Sequence, residues 1–124
     1  MYIRGPLTLT VLLSLMACSD SVNLDQAASA LTGYYAQHPP ERNWVVETIK
    51  PDSENHKLVV DVMVEDETDV GHIKMLSRME QFTIAKLACP TMTADLRTAI
   101  GDGTRVWVQL KAPKEILTRS ICPE

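Results

Sequence analysis

Lys57 to Glu65, KLVVDVMVE, is the stretch on which the fold turns. Leu58, Val60, Val62 and Val64 alternate with Val59, Asp61, Met63 and Glu65, a period of two that puts four aliphatic side chains on one face of a strand. That face belongs to a core, and the mixed face opposite is partly wet. Upstream, Trp44 to Lys50 (WVVETIK) has the β-branched and aromatic composition of a second strand, and PDSENH between the two reads as a hairpin loop. Downstream, Thr104 to Lys111 (TRVWVQLK) alternates again, with Val106, Val108 and Leu110 inward against Arg105, Trp107, Gln109 and Lys111. The turn APKE then leads into a last strand, Glu115 to Ile121.

The strands are flanked by helical patterns. Asn23 is an N-cap with Gln26 in capping-box position, and Leu24, Ala27, Ala28, Leu31, Tyr34 and Tyr35 fall within an arc of about 120°, before HPPER ends the helix. The acidic run EDETD (65–69) suits a helix N-terminus. From Val70 to Ala88 the pattern predicts one long core helix, with Ile73, Met75, Leu76, Met79, Phe82, Ile84 and Leu87 on the apolar side and Lys74, Ser77, Arg78, Gln81 and Ala85 opposite, stopped by Cys89-Pro90. Its methionines read as gap-filling core. Thr93 caps a short helix, ADLRTAI, closed by Gly101, and Asp102-Gly103 is a turn. The order is α-β-β-α-α-β-β. It predicts a small single α+β domain with a mainly antiparallel four-stranded sheet and its helices on one face.

Chemistry is sparse in this pattern. His38, His56 and His72 fall in a Pro-rich linker, a loop and a helix start, with no spacing that makes a metal site or a catalytic base. The acidic run lacks the oxygen spacing of a calcium loop. No Gly-x-Ser-x-Gly elbow exists, and Asp61 and Glu65, four residues apart on one strand face, stand about 13 Å from each other, too far for a retaining carboxylate pair. GDGT follows a helix and opens a strand, the reverse of a phosphate loop. No cofactor, metal or catalytic residue is therefore expected.

The N-terminus carries an address. Arg4 is its only charge before Leu7 to Ala17 (LTLTVLLSLMA), an uncharged run of 11 residues, long enough for a secretory signal and short of the roughly 20 needed to cross a bilayer. An ordinary cleavage site is missing at its end; Ala28-Ser29-Ala30 has the small residues, but only beyond Asp20 and Asp25. The tetrapeptide Leu15-Met16-Ala17-Cys18 resembles the lipobox of bacterial lipoproteins, a resemblance confined to residues 1–18. It implies a signal peptide at 1–17 removed before Cys18, a diacylglycerol thioether on Cys18 with acylation of its new amino group, a tether at 18–22 and a single domain at 23–124. In two-membrane bacteria Asp after the Cys favours retention in the inner membrane; Ser19 stands there, so the resemblance points to the outer membrane, facing the periplasm. Several acyl chains make such an anchor stable.

With Cys18 lipidated, Cys89 and Cys122 remain as an isolated couple, without Cys-x-x-Cys or His neighbours, and an oxidising compartment predicts a structural disulfide. Losing Arg4 takes the formal charge from −4 to −5. An acidic domain is a poor partner for nucleic acid or anionic lipid, so membrane contact is expected through the anchor and not through a basic face.

One residue stands out. Trp107 lies opposite to the Val106 and Val108 face, beside Arg105 and Gln109, and across a neighbouring strand it would meet Val59 or Met63. Either this is an aromatic patch with a polar rim, a partner-binding surface made of Trp107, Arg105, Gln109 and Met63, or the first helix or the chain terminus covers it as a second core layer. The first reading describes a non-catalytic envelope protein that binds a protein or cell-wall partner. The alternatives are a small hydrolase-like enzyme with a site assembled from distant residues, or capture of a ligand between sheet and helices beside Phe82 and the methionines.

Overall fold

In a computed structural model that describes residues 23–124, the first helix, α1, spans Leu24–Gln37. The side chain of Asn23 caps it by accepting from the amide of Gln26 at 3.0 Å, and Ala27, Leu31 and Tyr35, successive positions of one stripe, are buried. His38 closes the helix, its ring stacked on Tyr34, and Pro39-Pro40 prevent continuation. Arg42 and Asn43 then take left-handed backbone angles, φ 66° and 63°, which turn the chain into the sheet. Trp44 is buried at this corner. Its indole N–H donates to Asp69 at 3.2 Å, and the Arg42 guanidinium lies over the indole ring and 3.6 Å from the same carboxylate.

Four strands follow from the two alternating segments: β1, Val45–Asp52; β2, Lys57–Met63; β3, Arg105–Ala112; and β4, Glu115–Ile121. They form one sheet in the order β1-β2-β3-β4. Both hairpins are antiparallel, while β2 and β3 run parallel because helical segments carry the chain back between them. The α+β class and element order are as the sequence predicts, and the sheet is mixed. Pairing is in register by parity: Leu58 faces Val106, Val60 faces Val108 and Val62 faces Leu110, all 0–2% exposed on the inner face. Glu47 is an extra residue in β1, and Leu117 one in β4, where the register shifts.

The long middle helix does not form. Instead α2 covers Glu67–Met75 and α3 covers Arg78–Ala85, running into a 3₁₀ turn at Lys86–Ala88. Leu76 is extended (ψ 155°), and Ser77 starts α3 with a full capping box: its hydroxyl accepts from the Glu80 amide, and the Glu80 carboxylate accepts from the Ser77 amide at 2.9 Å. The break resets the helical phase. Ala85, assigned by continuous periodicity to the polar side, is fully buried, while Met75 and Met79 are 88% and 73% exposed instead of filling the core. Phe82 is half-buried, and the expected lining of a cavity by the methionines falls with the continuous helix. The last helix, α4, is Ala94–Ile100, capped by the Thr93 hydroxyl.

Helices and sheet share one core on the inner face, which includes Leu31, Ile73, Ala85, Ala88, Leu96 and Ile100. Tyr35 spans it, donating its buried hydroxyl to the carbonyl of Ala88 at 2.6 Å, and burial pushes this phenol well above its ordinary titration range. Cys89 and Cys122 are bonded, Cα atoms 5.6 Å apart, which fastens the end of the 3₁₀ turn to the chain just past β4.

Candidate functional site: the open face of the sheet

The face away from the helices is built by the odd positions of β2 and β3 and their partners. Three cross-strand rows matter. Lys50, Val59, Trp107 and Ile121 lie in register in the first; Thr48, Asp61, Gln109 and Arg119 in the second; Val45, Met63 and Lys111 in the third. Trp107 thus stands directly opposite Val59. It is half-buried by its neighbours, and the Lys57 ammonium lies over its ring, 4.8 Å from the centroid. Among the predicted surface residues, Arg105 is exposed, while Gln109 and Met63 are half-buried on the same face.

Asp61 is what sequence reasoning missed. It is 2% exposed, on the face expected to be partly wet. Its Oδ1 accepts from the Gln109 amide at 3.0 Å and its Oδ2 from the Thr48 hydroxyl at 3.0 Å, with Lys50 at 3.5 Å and Lys111 at 3.8 Å. Lys111 also reaches Glu47 at 3.8 Å. A buried carboxylate is tolerated only when paired and hydrogen-bonded, and here donors from both adjoining strands meet that condition. The signal lay in the alternation, since Asp61 and Gln109 occupy the same side of their strands. Finding it required the register of β2 on β3, which no local pattern encodes.

Charge on this face runs against the molecule's balance. Lys50, Lys57, Arg105, Lys111 and Arg119 face it, against Asp52, Asp61 and Glu47; the other described residues hold six cations and twelve acids. The face thus carries a small local excess of cations within a net negative chain. Among the described residues, Lys57, Arg105 and Arg119 have no carboxylate within 4.0 Å.

A second concavity, of about 400 Å³, runs between the C-terminal half of α1 and β1, lined by Tyr35, Ala36, Pro39, Trp44, Val46 and Ile49. The polar tips of both aromatic residues are engaged elsewhere, Tyr35 with Ala88 and Trp44 with Asp69, so mainly apolar surface remains. The histidines do not converge: His38 caps α1, His56 sits in the β1–β2 turn 3.5 Å from the Thr104 hydroxyl, and His72 is on α2. Among the described residues no group of three His, Cys, Asp or Glu side chains is placed to hold a metal ion, and no helix is long and apolar enough to cross a membrane. Cys18 and its tether lie outside the described residues. Comparison with protein-family models, with curated proteins and with solved structures gives no match.

Proposed function

We propose that this chain is a lipoprotein of a bacterial envelope, cut before Cys18 and held by lipid at the outer membrane facing the periplasm, and that it works without catalysis by presenting its open sheet face to a protein or cell-wall partner. The observation that carries the binding role is the face itself. Trp107 lies with Val59 and Ile121 in one row, bordered by cations, and no described helix lies over it: the core that the helices cover is on the other side. Support for the cut before Cys18 comes from α1. Cleavage after Ala30 would divide this helix and remove Ala27, a fully buried core residue.

The two halves of the proposal are tested separately. For the anchor, Cys18→Ser is expected to abolish acyl labelling and release the protein from the membrane fraction; unchanged labelling and retention would overturn it. For the face, a photo-crosslinking residue is placed in living cells at Arg105 and, as a control, at Ser29 on the exposed side of α1. Defined adducts from position 105 and none from 29 are expected. Absence of adducts from position 105 would remove the sheet face as the binding surface.

A further inference from the structure

We infer that the open face takes a short extended acidic peptide segment of the pattern acidic-x-apolar-x-acidic; this rests on the reading of that face as a partner-binding surface. Its geometry sets the pattern. Arg105 is on β3 at one end, and Arg119 is on β4 opposite Gln109, four residues further along β3. At about 3.3 Å per residue the two guanidinium-bearing positions stand about 13 Å apart along the strands. Midway between them lies the Trp107 and Ile121 pair. An extended peptide repeats side chains on one side every second residue, so positions i, i+2 and i+4 span the same distance. Carboxylates at i and i+4 therefore meet Arg105 and Arg119, with Lys57 beside the first, while an apolar side chain at i+2 rests on Trp107 and Ile121.

The other charges on the face explain why the segment is acidic and not basic. Asp61 already has two hydrogen-bond donors and two lysines, so it offers nothing to an incoming cation. Lys50 and Lys111 are turned toward it, and Lys57 stands opposite Asp52 in the β1–β2 pairing, which leaves Arg105 and Arg119 as the cations least engaged by carboxylates of the described residues. Arginine forks suit carboxylates in paired geometry. The size of the face argues for a segment and not for a second copy of the chain. Four strands at about 4.8 Å spacing and seven residues long give about 14 Å by 23 Å, a few hundred Å² against roughly 800 Å² per partner in a stable interface. A continuous anionic surface would use the same cations without needing the apolar row between them.

The test uses the full chain, purified in a non-ionic detergent and labelled with ¹⁵N, and follows the Trp107 indole N–H, assigned by its loss in Trp107→Phe. The probes are a peptide containing Glu-Ser-Leu-Ser-Glu, the same peptide with both Glu replaced by Lys, the same peptide with Leu replaced by Ser, and vesicles of phosphatidylglycerol. The Glu peptide is expected to shift the resonance saturably. Arg105→Gln with Arg119→Gln is expected to weaken it by about tenfold, and each altered peptide to bind more weakly. Arg105→Glu with Arg119→Glu extends the series, and the Gln pair serves if the Glu pair fails to fold. Equal binding of the Lys peptide, indifference to the Arg changes, or a response to vesicles in place of the peptide would overturn the inference. Failure of the underlying reading is distinguishable: the crosslinking residue at 105 already replaces one arginine, so adducts from it that persist when Arg119→Gln removes the other leave the binding face standing and sink the acidic pattern, whereas absence of any adduct from position 105 removes both.

Discussion

The inner and outer faces of this sheet are drawn from the same four strands and differ only in parity. On the inner face Val60, Val62, Val108 and Leu110 are fully buried by helices that the chain must first fold and return. On the outer face Asp61 is as inaccessible as they are, yet what encloses it is the side chains of the adjoining strands, Thr48 and Lys50 on one side and Gln109 and Lys111 on the other. Burial by a second layer is long-range and apolar; burial by neighbours within one layer is local and electrostatic. The two faces can thus be perturbed separately, and the inner one should govern stability while the outer governs contact.

The largest expected effect is on the attachment of the helical layer. The disulfide closes a sequence separation of 33 residues, which in the chain-entropy model is worth about 4 kcal/mol. Urea unfolding of the Cys89→Ser, Cys122→Ser variant is expected to show a loss of that order. A loss below about 1 kcal/mol would mean that helices and sheet hold together without the staple.

Next comes a direct contrast of faces. Leu110→Ala, on the inner side, is expected to cost about 3 kcal/mol through lost burial and a residual cavity, whereas Trp107→Ala, three residues earlier on the same strand and on the opposite face, is expected to cost about 1 kcal/mol. The same denaturation series measures both. Equal costs would show that the outer face is a second core.

Within the outer face, the order rests on Asp61. Asp61→Ala strands two lysines and two hydrogen-bond donors, and about 2 kcal/mol is expected. A double-mutant cycle with Gln109→Ala should give a coupling of about 1 kcal/mol, within the range for contacting polar pairs. Additive losses would show that the Gln109 bond contributes nothing to the order of the face.

How much of this was legible in the sequence follows the same division. Strict alternation in KLVVDVMVE and TRVWVQLK reveals both faces, because period two is a local property. The parallel pairing of β2 with β3 is not local. It depends on where three helices return the chain, and with it went the cluster around Asp61 and the choice of Val59 over Met63 as the residue opposite Trp107. Composition averages over this surface: the formal charge of the chain is negative, yet the open face carries five cations against three acids.

The smallest expected effect concerns the helix break, whose sign was present and outweighed. Apolar residues from Val70 to Leu87 fit one helical arc well enough to predict continuity, although Ser77 and Glu80 carry the spacing of a capping box. In the structure that box is made, and the bonds from the Ser77 amide hold the Glu80 carboxyl below its ordinary range. A carboxyl whose folded pKa lies below its unfolded one adds stability that is present above the unfolded value, near 4, and is lost as pH falls through the folded value. Acidification through that window should therefore loosen the first turn of α3, read as a lower protection factor, exchange relative to the intrinsic rate at each pH, for the Glu80 amide, whose N–H donates to the Ser77 hydroxyl. Glu80→Gln keeps an acceptor without the titration and should flatten the pH dependence. If protection there falls equally in both proteins, the break at Leu76 is held by the inner core around Ile73 and Ala85, and the cap merely decorates it.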